Sequence, residues 1–393
     1  MDKFESSEKY HDYKDVLILP KASSINSRSQ VNLNRTFKFN NGLTWTGVPI
    51  IAANMTTVGT LEVYKTLVKH KILTALHKFI KLQDLIEYNT NNPDNLLDPN
   101  YFAISTGISD NDFENLVNIM DNFGCKWIVI DIANGYIDNF KSFCKKVREK
   151  YTHKIIIAGN VSTKEGVNDL LECGVDIVKV GIGGGSACTT RIQTGIGMPQ
   201  FSCALKCSEA KKDNTYIISD GGITCPGDMA KSFGAGADFV MVGGEFAGHY
   251  ENPGEMIEEN GVKYKFFYGM SSSYAMKNNY AANNNTNYRS SEGREIKVKY
   301  KGMLDNTIEN YLGGLRSTCT YTNSGKIEDL ANNCQFILVN NQYNANLVNG
   351  KYQLDDLILS KRLKEGKYKN PDRIAHKVLA DRVNKRKNGN KTI

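Results

Sequence analysis

The sequence lacks the features of a secreted or membrane-embedded protein. Its first ten residues, MDKFESSEKY, are polar and of mixed charge, so we expect no secretory leader. No apolar run approaches the length that a membrane-spanning helix needs. The nine cysteines show neither paired spacing nor the CxxC pairs of metal sites, a pattern that fits a reducing compartment better than a disulfide framework. These absences predict a cytoplasmic protein with no membrane association.

An excess of charge of one sign is missing from most of the chain. The net charge is +7, but residues 345–393 hold 13 Lys/Arg and 5 Asp/Glu, so residues 1–344 sum to about −1. The bulk of the chain therefore gives no reason to expect nucleic-acid binding. The basic C-terminal extension, 345–393, is most simply a solvated tail. Its alternatives are a partly helical segment at 351–363 and, through Lys385-Arg386-Lys387, binding to RNA, an anionic surface or an import factor.

Eight short β-branched runs recur along the chain with amphipathic stretches between them. The runs are nearly continuous in apolar residues, as is typical of parallel strands buried on both faces. The predicted strands are 49–53, 72–76, 101–105, 127–131, 154–158, 175–180, 215–219 and 238–242. The seventh helix is expected to begin with Pro226 in its first turn and to end at Gly234. The pattern predicts an α/β fold, a closed (β/α)8 TIM barrel over 49–344; an open doubly wound sheet is the alternative, because local patterns do not reveal closure.

Two further segments flank the predicted barrel strands. Within the N-terminal segment 1–48, Thr36–Trp45 alternates around Asn41-Gly42, which predicts a two-residue hairpin that plugs the bottom of the barrel. Residues 251–300 are long and rich in Gly, Asn, Ser and Tyr, and we expect a flap there. Its flanks, YKFF and EIKVKY, are able to pair as a ribbon around an Asn-rich tip at 278–287.

Glycines and polar residues cluster where the predicted strands end, which is the end of a TIM barrel that carries active sites. Gly pairs follow strands seven and eight, Gly221-Gly222 and Gly243-Gly244, and their bare amides predict a phosphate site. The alternative is that these pairs merely turn the chain.

The loop after strand six, GIGGGSACTTR at 181–191, contains a candidate nucleophile. Its glycines can turn carbonyls inward, which suits a weakly bound monovalent cation, and they present Cys188. A thiol reacts as the thiolate, which backbone amides and a cation such as Arg191 would stabilise, and the Thr190 hydroxyl would relay a proton. Taken alone, a cysteine in such a turn is more often a small buried residue.

This loop and further motifs, in order from about Tyr10 to Asn344, resemble the IMP dehydrogenase/GMP reductase family. The motifs are AANM, DIANGY, SDGG, VGG, YGMSS, YRSSEG and STCTY. Members of the family either oxidise IMP with NAD or reductively deaminate GMP to IMP with NADPH. Three features favour the reductase branch. First, residues 79–100 are too few for the regulatory CBS pair of most dehydrogenases. Second, residues 131–136 resemble the reductase version of the strand-four loop, and third, residues 288–293 and 317–320 resemble the reductase flap and cofactor segment.

The resemblance also implies a role for individual residues. Cys188 would attack C2 of the purine to give a covalent thioimidate, and Thr190 and Glu292 would activate the leaving amine. The implied substrate residues are Ser186, Asp220, Gly221, Gly222, Gly243, Gly244, Gly269, Met270, Ser271, Arg289, Ser290, Ser291 and Gly293. The implied NADPH residues are Ser27, Arg28, Lys78, Asp131, Ile132, Ala133, Met270, Tyr288, Arg289, Ser317, Thr318, Cys319 and Thr320. The implied potassium ligands are Gly183, Gly185, Cys188 and Arg191.

On the same resemblance we expect a homotetramer of purine nucleotide salvage, in which a neighbouring subunit holds the adenosine end of the cofactor. For Ser27-Arg28 an ordinary exposed loop is an equal alternative. Gly184 stands where the family usually has Pro, and Thr56 where it has an acidic residue, which puts a carboxylate role there in doubt. The alternative functions are oxidation of IMP to XMP with NAD and a nucleotide-binding barrel without turnover.

Overall fold

The computed structural model describes residues 9–272, 275 and 291–340, and a closed barrel of eight parallel strands lies at its centre. The barrel strands are β4 (Ile50–Ala52), β5 (Leu73–Leu76), β6 (Phe102–Thr106), β7 (Trp127–Asp131), β8 (Ile155–Val161), β9 (Ile177–Val180), β10 (Tyr216–Asp220) and β11 (Phe239–Val242). Each strand pairs with the next along the chain, and β11 closes the circle on β4, where Val240 lies opposite Ile50. The predicted TIM barrel is confirmed, and all eight strands lie where the apolar runs indicated.

Helices form the outer layer of the barrel. They are α1 (Leu61–Leu67), α2 (Leu82–Asn91), α3 (Asp110–Asn122), α4 (Asp138–Lys150), α5 (Lys164–Glu172), α6 (Thr190–Thr194), α7 (Gln200–Ser208) and α8 (Pro226–Gly234), followed by α9 (Leu304–Tyr321) and α10 (Leu330–Asn333). Side-chain caps start several of them: the Ser109 hydroxyl accepts the Asp112 amide of α3 at 3.1 Å. The ends of α8 match the Pro226 and Gly234 signals. No helix in the described ranges is both long and apolar enough to cross a bilayer.

The hairpin of β2 (Arg35–Lys38) and β3 (Thr44–Gly47) contributes aromatic side chains to the barrel interior. Phe37 stacks on Phe239 with ring centroids 4.2 Å apart, and Trp45 meets Trp127 edge-on at 5.6 Å. The predicted two-residue turn is wrong: the Phe39 amide bonds to the Leu43 carbonyl and the Gly42 amide to that of Phe39. Three residues therefore form the loop, and Gly42, at φ +81°, supplies the left-handed position that such loops need.

The flap flanks pair as predicted. Antiparallel β13 (Val262–Tyr268) and β14 (Glu295–Lys299) form the ribbon, and β12 (Ile257–Glu259) adds a third strand. The Asn-rich tip at 278–287, the site residues Tyr288, Arg289 and Ser290, and the extension 345–393 lie outside the described residues. A separate pair, β1 (Val16–Ile18) with β15 (Phe336–Leu338), joins the N-terminal segment to the last described strand.

Candidate active site

A cavity of about 270 Å³ opens at the carboxyl ends of the barrel strands. Most of the residues that sequence analysis selected line it. These are Asp131, Ile132, Ala133, Gly183, Gly185, Ser186, Cys188, Thr190, Asp220, Gly221, Gly222, Gly243, Gly244, Gly269, Met270, Ser271, Glu292 and Gly293. Ser27, Arg28, Lys78, Arg191, Ser291 and Ser317 to Thr320 do not line it. Strand ends and flap thus converge on one pocket.

The side-chain alternation of β-strands explains why the floor of this cavity is charged. Val129, Ile177 and Ile218 point into the barrel and belong to its interior core. The residues two positions further along the same strands, Asp131, Lys179 and Asp220, therefore lie on the same inner side at the next level up. The barrel interior consequently changes from apolar to charged within one pleat.

Cys188, Thr190 and Glu292 form a hydrogen-bonded chain at the cavity wall. The Cys188 thiol donates to the Thr190 hydroxyl at 3.1 Å, and that hydroxyl donates to Oε2 of Glu292 at 2.8 Å. The Thr190 amide also lies 3.5 Å from the Cys188 sulfur. Cys188 is partly exposed, unlike the six cysteines that are buried. This arrangement can carry a proton from sulfur to carboxylate, which is what a thiol nucleophile requires.

The flap holds Glu292 in place through its backbone. Residues 292–294 run antiparallel to the cysteine loop: the Thr189 amide donates to the Glu292 carbonyl at 2.7 Å, and the Arg294 amide to the Ala187 carbonyl at 3.0 Å. The Arg294 guanidinium also donates to the Ser186 carbonyl at 2.8 Å. A Cβ at Gly293 would lie 2.7 Å from the Ser272 amide nitrogen, so only glycine allows this close approach. The relay therefore depends on the flap lying against the cysteine loop.

The expectation that the Arg191 side chain stabilises the thiolate is wrong. Its guanidinium makes a two-point ion pair with Asp12, at 3.0 and 3.3 Å, and donates to the Met198 carbonyl at 2.6 Å. Asp12 also accepts the Gln200 amide at 2.7 Å. Burial tends to raise the pKa of Asp12, but Arg191 and the Gln200 amide outweigh it and lower that pKa. Arg191 thus ties the cysteine loop to the N-terminal segment, a contact across 179 positions that sequence reasoning missed.

The glycines after β10 and β11 leave backbone exposed to the cavity. Gly221 and Gly222 have φ of +104° and +78°, which side-chain-bearing residues rarely adopt. A Cβ at Gly244 would lie 2.4 Å from the Ser186 hydroxyl, so this hydroxyl can approach the backbone only because Gly244 has no side chain. Exposed amides beside a serine hydroxyl suit a phosphate group.

An ion network centred on the buried Lys179 forms the floor of the cavity. The Lys179 ammonium lies 2.7 Å from Oδ1 of Asp131 and 2.9 Å from Oδ2 of Asp220. Asn54 donates to Asp131 and Asn160 donates to Asp220, each at 2.9 Å. Burial disfavours the charge on Lys179, but the two carboxylates outweigh it and raise the pKa of the ammonium group. Burial likewise opposes ionisation of Asp131, yet Lys179 and Asn54 lower its pKa. Lys179, Asn54 and Asn160 were not among the site residues predicted from the sequence.

The remaining cofactor candidates within the described ranges do not line the cavity. Ser317 and Thr318 are on α9, where their hydroxyls donate to Gly313 and Gly314 carbonyls of the same helix, and Cys319 is buried. The 3-10 helix Arg28–Gln30, which Ser27 caps, packs against α9. Ser27-Arg28 and 317–320 are thus brought close to each other but not to Cys188. Lys78 forms an ion pair with Asp112 at 3.2 Å.

Thr56, where the family usually has an acidic residue, contacts the flap. Its hydroxyl donates to the Tyr268 hydroxyl at 3.2 Å, and its amide lies 3.4 Å from the Met270 sulfur. Gly184, where the family usually has Pro, has no left-handed φ; a Cβ there would lie 3.2 Å from the Gln200 side chain.

Comparison with known proteins gives one consistent set of relatives. A family model described as "IMP dehydrogenase / GMP reductase domain" matches residues 10–346. Human "GMP reductase 2" is 50% identical over 336 residues, which cover 85% of this chain and 95% of the relative. "GMP reductase" of Caenorhabditis elegans is 46% identical over 348 residues (88% and 96%), and "GMP reductase" of Yersinia pestis (strain Pestoides F) is 47% identical over 335 residues (84% and 95%). The match spans every described element that lines the cavity.

Proposed function

The chain belongs to the IMP dehydrogenase / GMP reductase family, and we propose that it is an oxidoreductase that converts GMP to IMP and ammonia with NADPH as the reductant. The observation that carries this proposal is the Cys188–Thr190–Glu292 chain of hydrogen bonds in the wall of the cavity. The relatives named GMP reductase, at 46–50% identity over most of both chains, favour this direction over oxidation of IMP. A non-catalytic barrel would have no use for a thiol, hydroxyl and carboxylate in series.

The first proposed step removes the 2-amino group of the guanine. The Cys188 sulfur bonds to C2 as its proton passes to Thr190 and on to Glu292. The C2–N bond then breaks, and the same relay returns a proton to the leaving amine, which departs as ammonia. The products are free ammonia, which carries the former thiol proton, and a covalent thioimidate that joins the Cys188 sulfur to C2.

The second proposed step replaces sulfur by hydrogen at C2. A bound nicotinamide cofactor supplies the hydride; the C2–S bond breaks, and Cys188 leaves as a thiolate that regains a proton from solvent, giving IMP. Residues 131–133 and Met270 line the same cavity as Cys188, so a nicotinamide ring held by them would fit beside C2. Asn160 supports this fit, because its Oδ1 is buried and has no hydrogen-bond partner among the described residues. A ligand hydroxyl or amide would satisfy that acceptor.

The rest of the cavity suits the remainder of the nucleotide. We assign the phosphate to Gly222, Gly243, Gly244, Ser186 and Ser271, the ribose hydroxyls to Asp220, and the base to the backbone of Met270 and Ser271 together with residues 289–293. A carboxylate can accept two hydrogen bonds from ribose hydroxyls in place of water. Lys179 and Asn160 both donate to Oδ2 of Asp220, and neither bond uses Oδ1.

Exclusion of water belongs to the same proposal. Hydrolysis of the thioimidate would give XMP instead of IMP, so the covalent intermediate must be shielded. The flap contacts at Glu292, Gly293 and Arg294 lie directly on the cysteine loop and would provide this cover.

Several finer assignments stay part of the proposal. Carbonyls of Gly183, Gly185, Cys188 and Arg191 would hold a potassium ion that stiffens the cysteine loop; the Gly185 carbonyl also accepts the Cys188 amide at 3.0 Å. The adenosine end of NADPH would bind Ser27, Arg28, Tyr288 and residues 317–320 of a neighbouring subunit in a homotetramer. In support of this, Ser27, Arg28 and residues 317–320 do not line the chain's own cavity. We place the enzyme in cytoplasmic purine nucleotide salvage.

A pair of assays tests the proposal. The protein is mixed with GMP and NADPH, and the absorbance of the reduced cofactor is followed; a second mixture contains IMP and NAD. We expect absorbance to fall in the first mixture, with one ammonia and one IMP formed per NADPH consumed. Turnover in the second mixture alone would instead identify a dehydrogenase, and the absence of turnover in both would leave a nucleotide-binding barrel.

A further inference from the structure

Lys179 is a lysine in the interior of a TIM barrel. It is the third residue of β9, its side chain is only 4% exposed, and it shares the inward side of the strand with Ile177 of the interior core. Room for it comes from the neighbouring strand: a Cβ at Gly159 of β8 would lie 2.4 Å from the Lys179 carbonyl oxygen and 2.7 Å from its Cβ. An ammonium group this deeply buried destabilises the fold unless it is paired, so its position requires an explanation.

The partners of Lys179 supply that explanation. Asp131 comes from β7 and Asp220 from β10, two strands on opposite sides of Lys179 in the barrel order. β8 and β9 lie between these two strands, and the Lys179 side chain from β9 is long enough to bridge both carboxylates. Asn54 and Asn160 donate to the carboxylates from outside the bridge and fix their orientation.

The two carboxylates belong to different halves of the proposed reaction. Asp131 lies on the side assigned to the nicotinamide, and Asp220 on the side assigned to the ribose of GMP. We propose that Lys179 is a positioning residue that couples these two subsites, holding Asp131 and Asp220 at a fixed separation so that substrate and cofactor bind in register. This inference rests on the proposed function.

Charge balance indicates what the loss of Lys179 would do. The charged groups around Lys179 are Asp131 from β7 and Asp220 from β10, with Lys78, after β5, adding a weaker positive field at Asp131; the Glu292 carboxylate of the flap lines the same cavity. With Lys179 present, the three-group network has a net charge of −1. Without it, the two partly exposed carboxylates would face each other across the cavity floor with no cation between them, and the pKa of Asp131 would rise because Lys179 is what lowers it most.

The test compares Lys179→Gln, which keeps hydrogen-bond donors but removes the charge, with Lys179→Arg, which keeps the charge. For Lys179→Gln we expect KM for both GMP and NADPH to rise and kcat/KM to fall about 100-fold, the size of effect that misplaced binding groups produce. The acid limb of its kcat/KM profile should move to higher pH, since the pKa of Asp131 rises once its cation is gone. Lys179→Arg keeps the charge, so it should keep the acid limb of the unsubstituted enzyme and lose less kcat/KM than Lys179→Gln.

Lys211→Met is the matched control. Lys211 forms an ion pair with the buried Asp238 at 3.0 Å, and neither of these residues lines the cavity. It should leave both KM values and the pH profile unchanged. Unaltered KM values and an unmoved acid limb in folded Lys179→Gln would overturn the inference and leave the proposed function standing. Absence of GMP reduction by the unsubstituted enzyme would instead overturn the function. If Lys179→Gln does not fold, Lys179→Arg still decides: a displaced acid limb despite the retained charge would overturn the coupling.

Discussion

The two ends of the barrel are built on the same eight strands but differ in what fills them. At the amino end, aromatic rings of Phe37 and Trp45 from the hairpin pack on Trp127 and Phe239, all of them buried. At the carboxyl end the interior positions carry Asp131, Lys179 and Asp220, and glycine-rich loops leave a cavity. Aromatic side chains fill one end of the barrel, whereas polar and charged groups line an open cavity at the other end.

Each end also carries a three-group ion cluster, and the two clusters are opposite in sign. Asp238 lies between Arg35 and Lys211 at the amino end, with both ion pairs at 3.0 Å, for a net charge of +1. Lys179 lies between Asp131 and Asp220 at the carboxyl end, for a net charge of −1. The first cluster ties the hairpin to strand starts, and the second faces the cavity. On the proposed function, we expect the first cluster to serve stability and the second to serve binding of substrate and cofactor.

The largest expected effect is loss of turnover without loss of stability at the carboxyl end. Cys188→Ala should lower kcat/KM for GMP by at least about 10⁴-fold, because no other group can form the covalent bond to C2. Its melting temperature should stay close to that of the unsubstituted enzyme. Cys334→Ala, which removes another partly exposed thiol outside the cavity, is the control and should be fully active. Equal activity of the two variants would contradict the role of Cys188.

Removal of the relay hydroxyl sharpens the same contrast. Thr190→Val should reduce turnover by about 10²–10⁴-fold, the range of general acid–base contributions, since the thiol loses its path to Glu292. Thr194→Val, on the same short helix, removes a hydroxyl that bonds only backbone groups of its own segment and should cost far less. Steady-state assays with GMP and NADPH measure both variants, and equal losses would show that the hydroxyl has no special role.

At the amino end the prediction reverses: stability falls and catalysis remains. Trp45→Ala should lower the free energy of unfolding by about 3–5 kcal/mol, because it empties a buried aromatic site and removes the bond from the Trp45 indole to the Asn100 carbonyl. Below its melting temperature the variant should keep a near-normal kcat. Tyr250→Ala, at a 65% exposed side chain, is the control and should change stability by no more than about 0.5 kcal/mol. Denaturant unfolding together with activity assays separates the two effects.

The smallest expected effect lies where the N-terminal segment contacts the cysteine loop. Asp12→Asn should lower kcat about 10-fold by loosening Arg191. The variant should also be less stable than the unsubstituted enzyme near neutral pH. Since the pKa of Asp12 is lowered in the folded state, its contribution is present above the pKa of the unfolded chain and lost as pH falls through the folded pKa. Unfolding curves at several pH values test this; a stability difference that grows towards acid would be inconsistent with it.

Periodic and local features of the fold were predictable from the sequence. The buried strands and the Pro226 and Gly234 boundaries of α8 follow from local patterns. The glycine-rich loops after the strands correctly indicated where the cavity lies. The hairpin loop was misjudged by one residue, because Asn41-Gly42 also fits a three-residue loop with glycine in the left-handed position.

What sequence reasoning missed depends on distant partners. Nothing near Arg191 indicates that Asp12 takes its guanidinium. Lys179 did leave a signal: a lysine in VDIVKV sits at an inward position of a strand that should be entirely apolar. Its partners, however, become visible only when β7 and β10 are placed on either side of β9.

The most direct test of the central claim is a search for the covalent bond at Cys188. The enzyme is mixed with GMP labelled in the purine ring, without NADPH, and quenched in acid; the protein-bound label and the free ammonia are then measured in both the unsubstituted enzyme and Cys188→Ala. We expect label on the peptide that contains Cys188, with one ammonia per labelled subunit, and neither in the variant. Ammonia released by Cys188→Ala at the rate of the unsubstituted enzyme, or ammonia from the unsubstituted enzyme without label on the Cys188 peptide, would contradict the claim.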